Sequence, residues 1–172
     1  MSFQLHLKDL YRTTVVERWN IVEVSRRQSV AEHQYLVALL VVRYCQLKGL
    51  HRGVETQALR CALLHDAAEV LTGDVPTPTK EHCGPGLERV EADTVPLGED
   101  PLAVPKRVEE VVNFCDKVEA FVWLAKYGVG DHAHRVKEAV REKLYKVDPV
   151  VAKQLFHECL ELRDTVLWED NP

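Results

Sequence analysis

At 172 residues, with 46% apolar and 28% charged side chains, the chain has room to bury a core in a single domain and is neither disordered nor fibrous. A formal net charge of -5 argues against a broad electrostatic footprint on DNA or RNA, so any anionic ligand must be gripped locally. The five cysteines, Cys45, Cys61, Cys83, Cys115 and Cys159, are scattered and odd in number, and form neither a CxxC pair nor a disulfide framework.

The N-terminal stretch MSFQLHLKDLYR lacks the apolar core of a signal peptide, and a short first helix is expected from Gln4 to Val16. The run Ser29-Val30-Ala31-Glu32 has the form of a capping box, opening a helix to about Leu47 that Gly49 ends. Val30, His33, Val37, Leu40 and Tyr44 share one stripe of that helix, so His33 is expected at its inward face. The apolar run Tyr35–Tyr44 is too short to span a bilayer, so a cytoplasmic protein with no membrane partner is expected.

A third helix is predicted from about Val54 to Leu71, carrying His65 and, one turn later on the same face, Glu69. It stops at Thr72-Gly73-Asp74, and the two prolines of Val75-Pro76-Thr77-Pro78 predict a rigid non-helical loop. Residues 87–99 read as a short helix and then a turn. Pro101 or Pro105 opens the strongest helical stretch, with Val108, Val111, Val112, Cys115, Val118 and Val122 inward and Asp116 at the stripe's border. Two further helices, about Asp131–Tyr145 and Pro149–Leu167, complete an all-α bundle of about six to seven helices, with strand signals weak throughout.

His33 and Asp116 lie within apolar helices, and Asp66 follows His65 inside Ala62-Leu63-Leu64-His65-Asp66-Ala67-Ala68. Ionisable groups are costly to bury unless paired or metal-bound, so something must compensate them. A divalent cation does so: two neutral imidazoles and two carboxylates cancel its charge and supply nitrogen and oxygen donors. Zinc with expanded coordination, cobalt or manganese would suit that set and leave positions for water and a substrate oxygen. Glu69, a turn from His65, is placed to orient or deprotonate the water.

These residues resemble the HD superfamily of metal-dependent phosphohydrolases, whose pattern is a histidine, a His-Asp pair and a distant aspartate on successive helices. More narrowly, Arg18-Trp19, Val30-Ala31-Glu32-His33, the string Leu64-His65-Asp66-Ala67-Ala68-Glu69-Val70-Leu71-Thr72-Gly73-Asp74-Val75-Pro76-Thr77-Pro78-Thr79-Lys80, and Cys115-Asp116 look like the bacterial 5'-deoxynucleotidases and the similar phage dATP triphosphohydrolases. The resemblance implies an HD-domain bundle, a metal held by His33, His65, Asp66 and Asp116, and attack of water at the α-phosphorus of a small-molecule 2'-deoxynucleotide. The 5'-oxygen of the deoxynucleoside is then expelled, leaving phosphate from a monophosphate or triphosphate from a dNTP; additional magnesium would accompany a triphosphate.

By the same resemblance, Arg18 holds a phosphate oxygen, Trp19 lines the nucleoside pocket, Asp74 meets the sugar hydroxyl, and Glu69 manages the attacking water; Ile21, two residues after Trp19, reads as an aliphatic wall for the base. Pro78 and Lys80 complete the substrate contacts, Lys80 reaching toward a β- or γ-phosphate. The short chain, Ile21 and Lys117 beside Asp116 point toward a triphosphate, whereas the abbreviated region from Pro85 to Pro105 departs from the longer bacterial enzymes. The relatives form homo-oligomers, and the same is expected here. The rival reading is a nucleotide-binding or regulatory HD domain without turnover; an intact Glu69 and a full ligand set argue against it. Asp131-His132-Ala133-His134 is better explained by helix capping, and His82-Cys83 has no partner at recognisable spacing.

Overall fold

The helix that carries His33 is bounded by residues chosen for its ends. Ser29, in extended backbone, accepts the Glu32 N–H at 3.1 Å through its hydroxyl, and α2 runs from Val30 to Lys48. Gly49 then adopts a left-handed φ of 58°, so that its N–H and that of Leu50 bond back to Gln46 and Cys45 and satisfy the last carbonyls. Only half of the expected capping box forms, because the Glu32 carboxylate accepts from Arg26 at 2.7 Å instead of folding back on Ser29.

In this computed structural model, residues 2–83, 85–98 and 104–168 are described, the side chains of 161–168 excepted. In chain order come β1 (Phe3–Leu5), α1 (Leu7–Leu10), a 3₁₀ turn (Tyr11–Thr14), α2, α3 (Arg52–Leu64), α4 (Glu69–Thr72), α5 (Thr77–Cys83), α6 (Pro85–Asp93), β2 (Thr94–Pro96), α7 (Lys106–Tyr127), α8 (Gly130–Val147) and α9 (Pro149–Trp168). The all-α expectation holds, since the strands are only a short parallel pair, Phe3 to Leu5 alongside Thr94 to Pro96. The long helices α2, α3, α7, α8 and α9 enclose the core, where Val37, Val41, Cys45, Ala58, Ala62, Val111, Cys115, Val118, Leu144 and Ala152 are almost wholly buried. Each such Val or Leu contributes about 1.5–3 kcal/mol on burial, and the inward stripes of α2 and α7 therefore fix how those helices face each other. Arg43 grips Glu158 through two hydrogen bonds of 2.7 Å, fastening α2 to α9 at the rim. Among the described residues no helix is long and apolar enough to cross a membrane.

Three local expectations are corrected. The N-terminal segment is not one helix over residues 4–16: Phe3–Leu5 is drawn into the parallel pair, with Leu5 buried against Ala67 and Val70. The Thr13 and Thr14 hydroxyls bond the carbonyls three residues back, tightening Tyr11–Thr14 into a 3₁₀ turn. The third helix does not run through to Leu71 but ends at Leu64, and residues 65–68 form turns before α4. The N–H groups of Ala67, Glu69, Val70 and Leu71 all bond three residues back, so the backbone is overwound there and Glu69 is not in α-helical register with His65. Nor is the two-proline segment wholly non-helical, for α5 begins at Thr77 with Pro78 in its first turn, where the missing N–H costs no helical hydrogen bond. Pro101, expected as a possible helix start, lies outside the described residues, and α7 opens after Pro105.

Candidate metal centre and substrate pocket

His33 sits in the first turn of α2 on its buried stripe, and packing leaves its ring no contact with solvent. Its Nδ1–H donates to Glu119 Oε2 at 2.6 Å, which turns Nε2 toward the ends of α3 and α7. His65, the residue that closes α3, donates its Nδ1–H to the Ala62 carbonyl at 2.8 Å and so also presents Nε2. The two Nε2 atoms face each other at 3.3 Å. Asp116 Oδ1 lies 3.2 Å from His33 Nε2, and Asp66 Oδ2 lies 3.4 and 3.3 Å from the Nε2 atoms of His33 and His65. One ligand atom each from His33, His65 and Asp116 fall within 4.8 Å of one another. The donor set consists of imidazole lone pairs and carboxylate oxygens aimed inward, and only a proton or a cation can reconcile them. Nitrogen and oxygen donors in this mixture fit a borderline divalent metal.

The electrostatics of these groups suit a positive species there. Burial and the Arg18 charge push the His33 pKa down, but Glu119 and hydrogen bonds to Asp116 and Glu119 outweigh them and raise it to about 9. Burial pushes Asp116 up, yet the His33 hydrogen bond and the charges of His33 and Arg18 hold it well below the usual carboxylate range. Asp66 behaves alike, with His65, His33 and Arg18 overcoming its burial.

Glu69 opens α4 and is 5% exposed. Burial, then the neighbouring carboxylates of Asp66 and Asp74, push its pKa up to about 8 against the opposing charges of Arg18 and Lys80. Its Oε2 is buried with no hydrogen-bond partner among the described residues, and its Oε1 lies 3.8 Å from Lys80 Nζ. An unpaired carboxylate oxygen with a pKa near neutrality suits a proton acceptor.

Arg18 and Trp19 lie in the loop that leads into α2, and a short antiparallel tie holds them there. Arg18 N–H donates to the Gln28 carbonyl at 2.8 Å, and Val30 N–H to the Val16 carbonyl at 2.9 Å. Arg18 spreads its charge over Asp66, Glu119, Asp116 and Asp74, which together overcome its burial and raise its pKa. Its NH1 nitrogen is buried without a hydrogen bond among the described residues, although Glu119 Oε2 stands 3.8 Å away. Trp19 adopts φ 65°, a left-handed backbone that costs a bulky residue about 1–3 kcal/mol. That cost is met by ties on three sides: the indole N–H donates to Gln28 Oε1 at 3.1 Å, the carbonyl accepts from Arg27 at 2.9 Å, and the Trp19 N–H bonds the Asp74 carboxylate. Asn20 reaches the Asp74 carbonyl at 3.2 Å, binding this loop to the one after α4.

The remaining expected contacts are more exposed than His33, Glu69 and Arg18. Ile21, two residues after Trp19, is 55% exposed, and Pro78 is exposed on α5. Lys80 donates to Glu91 at 3.1 Å, so α5 and α6 are latched together at the rim of a cavity of about 700 Å³ that His65, Ala68, Glu91, Val112 and Asn113 help line. Lys117 turns back to the Asn113 carbonyl of its own helix at 3.0 Å. Sequence reasoning passed over Glu119, which is 3% exposed and holds His33, and Gln28, which is 0% exposed and holds Glu119. The signal for Glu119 was available: a carboxylate three residues after Asp116, inside the apolar run Val118 to Val122. Gln28, in an irregular loop, had none.

Comparison with known proteins places this arrangement among others. A family model described as 5'-deoxynucleotidase YfbR-like matches residues 5–91. The chain is 35% identical over 138 residues to a dATP triphosphohydrolase of Cyanophage S-2L, covering 77% of each chain. It is 40% identical over 83 residues to a 5'-deoxynucleotidase of Klebsiella pneumoniae (strain 342), covering 46% of this chain and 42% of that one. Among solved structures, the Cyanophage S-2L HD phosphohydrolase (DatZ) bound to dA and one catalytic Zn2+ ion superposes with a TM-score of 0.77 at 28% identity, covering 96% of this chain and 99% of that one.

Proposed function

The chain belongs to the family of YfbR-like 5'-deoxynucleotidases and is an HD-type phosphoric ester hydrolase, and from that premise we propose that its substrate is a 2'-deoxynucleoside triphosphate, dATP foremost. Water adds at the α-phosphorus, the bond to the 5'-oxygen breaks, and the deoxynucleoside leaves with that oxygen protonated while triphosphate departs. The observation that carries this reading is the inward-facing His33, His65 and Asp116 set, its ligand atoms within 4.8 Å, beside the unpaired Oε2 of Glu69. The triphosphate is favoured because likeness to the phage dATP triphosphohydrolase extends over 77% of the chain, against 46% for the bacterial 5'-deoxynucleotidase.

His33, His65, Asp66 and Asp116 would hold the cation, zinc as in the solved phage enzyme, or cobalt or manganese, with magnesium accompanying the triphosphate. Bound there, a divalent cation supplies Lewis acidity to a phosphoryl oxygen and to the attacking water. Glu69 takes the proton that water loses. Arg18 offers its planar fork to the α-phosphate and offsets the charge that builds there. Trp19 gives the nucleoside a flat apolar wall, with Ile21 and Pro78 at its margins, and Asp74 accepts from the sugar hydroxyl. Close packing of the sugar leaves a 2'-hydroxyl without room, so ribonucleotides react poorly. Lys80 exchanges Glu91 for a terminal phosphate.

The same reading makes the chain a cytoplasmic homo-oligomer whose partners are small molecules, neither a membrane nor a nucleic-acid polymer. The negative net charge and the exposed Tyr35 and Leu39 on one flank of α2 support it. Incubation with dATP, dAMP and ATP in the presence of Co2+, followed by 31P NMR, tests the activity. Triphosphate from dATP alone is the expected product. Phosphate released from dAMP with dATP untouched would instead select the monophosphate reaction, and no turnover of any nucleotide would overturn the reading.

A further inference from the structure

A continuous chain of hydrogen bonds, buried from Gln28 inward, runs from Trp19 to His33. The Trp19 indole N–H donates to Gln28 Oε1 at 3.1 Å, Gln28 Nε2 donates to Glu119 Oε1 at 2.6 Å, and His33 Nδ1–H donates to Glu119 Oε2 at 2.6 Å. Gln28 and His33 are 0% exposed and Glu119 is 3% exposed, so the chain is shielded from bulk water between Gln28 and His33. The direction of every bond is set by its first member. An indole nitrogen only donates, so the oxygen end of the Gln28 amide must face Trp19. Its NH2 end must then face Glu119, whose second oxygen is left to accept from His33 Nδ1. That places the proton of the neutral ring on Nδ1 and leaves Nε2 as the only lone pair His33 can offer a cation.

We infer that Glu119 and Gln28 are positioning residues that couple the nucleoside wall at Trp19 to the cation-binding nitrogen of His33. The inference rests on the proposed function in taking Trp19 as that wall and His33 as a ligand. The coupling is mechanical as well as directional. Trp19 keeps its left-handed φ of 65° through ties that include Gln28, and Gln28 is itself fixed to the same loop by the Arg18 N–H. A shift of the indole on nucleoside binding is thereby passed through Gln28 to the carboxylate that aims His33. By linkage, occupancy of the cation site must tighten the nucleoside wall by the same factor as the nucleoside tightens the cation.

Co2+ titrations of the full chain, followed by calorimetry and by the visible absorption of the bound ion, test this without turnover. Glu119→Gln is expected to weaken Co2+ binding by about 10- to 100-fold, the usual cost of losing an outer partner of a ligating histidine. Trp19→Phe keeps the ring but loses the N–H, and Gln28→Met keeps the volume but loses both polar groups. Each is expected to weaken Co2+ binding by about threefold or more although neither touches a ligand, and the double variant no more than the stronger single, because both break one chain. Deoxyadenosine should bind wild type more tightly with Co2+ than without, and this gain should disappear in Gln28→Met. Wild-type Co2+ affinity in a folded Trp19→Phe protein, judged by its melting curve, would overturn the inference, as would additive losses in the double variant. If the wild-type chain turns over no nucleotide while these titrations behave as expected, the proposed function fails and the coupling stands. Turnover of dATP with unaltered Co2+ binding in Trp19→Phe gives the converse.

Discussion

The Nε2 atoms of His33 and His65 stand 3.3 Å apart, and each ring has already committed its other nitrogen as a donor, to Glu119 and to the Ala62 carbonyl. Two lone pairs in such opposition repel unless a positive species lies between them, so cation binding should stabilise the fold. A cation at a hundred times its dissociation constant adds about 2.7 kcal/mol. For a chain of this size that raises Tm by about 5–10 °C. Melting in EDTA against melting with Zn2+, Co2+ or Mn2+ measures it, and coincident curves would remove the metal centre from consideration.

Without metal the protein should lose stability as pH rises. His33 is raised from 6.5 to about 9, so its contribution is complete below 6.5 and is lost as pH climbs through 9. Glu69 is raised from 4.5 to about 8 and favours its protonated form, so its contribution declines from 4.5 through 8. The two act in the same direction, each by at most about 1.4 kcal/mol per pH unit. Asp66 and Asp116 are lowered from 3.8, so their contribution is present above that value and lost below it. Urea unfolding in EDTA should therefore show greatest stability in mildly acid solution and a decline toward pH 9. Saturating Co2+ displaces the His33 proton and should flatten that decline.

What could be read from the sequence divides along physical lines. The bounds of α2 were legible because Ser29 and Gly49 act through local chemistry, and the inward stripes of α2 and α7 because apolar period reports burial directly. The grouping of His33, His65 and Asp116 was legible as ionisable residues within apolar stretches. The break after Leu64 was not, since a backbone overwound into three-residue hydrogen bonds has no compositional mark in Leu64-His65-Asp66-Ala67-Ala68-Glu69. The three-residue strands were equally silent, because Phe3–Leu5 and Thr94–Pro96 are too short for alternation to show and are defined by each other. Gln28 and Glu119 belong to a tertiary hydrogen-bond chain, 91 residues apart in sequence, that no local pattern encodes.

Replacing Glu69 by Gln should separate chemistry from metal binding. An amide of the same shape accepts no proton, and loss of a general base costs about 10²–10⁴ in rate. Glu69 lies outside the ligand cluster, so Co2+ affinity should stay within a few-fold of wild type. Gln also imitates the protonated carboxyl, so the part of the alkaline stability loss due to Glu69 should vanish. In the wild-type enzyme kcat/KM should climb with pH along a limb at or below 8, because a cation beside Asp66 can only lower the Glu69 pKa from about 8. Full turnover by Glu69→Gln would assign the proton to another group.

Arg18 should answer differently to Lys and to Ala, because two physical roles meet in one guanidinium. It faces Asp66, Glu119, Asp116 and Asp74 and offsets their charge, and it stacks over Trp19 with 5.6 Å between guanidinium carbon and ring centre. Its NH1 is buried with no hydrogen bond among the described residues, so a phosphate oxygen brought against it would meet an uncommitted donor. Lys keeps the charge but neither the planar fork nor the stacking. Arg18→Lys should therefore fold with nearly wild-type stability while kcat/KM falls by about 10²-fold, in the range for losing one oriented donor to a developing charge. Arg18→Ala should lose at least as much activity and also melt lower in EDTA, because the carboxylates then lose the cation that faces all four of them. Added metal should restore its melting temperature and leave the rate low, since a cation replaces the missing charge but not the missing fork. Recovery of both by metal would mean that Arg18 serves the carboxylates alone and makes no contact with the phosphate.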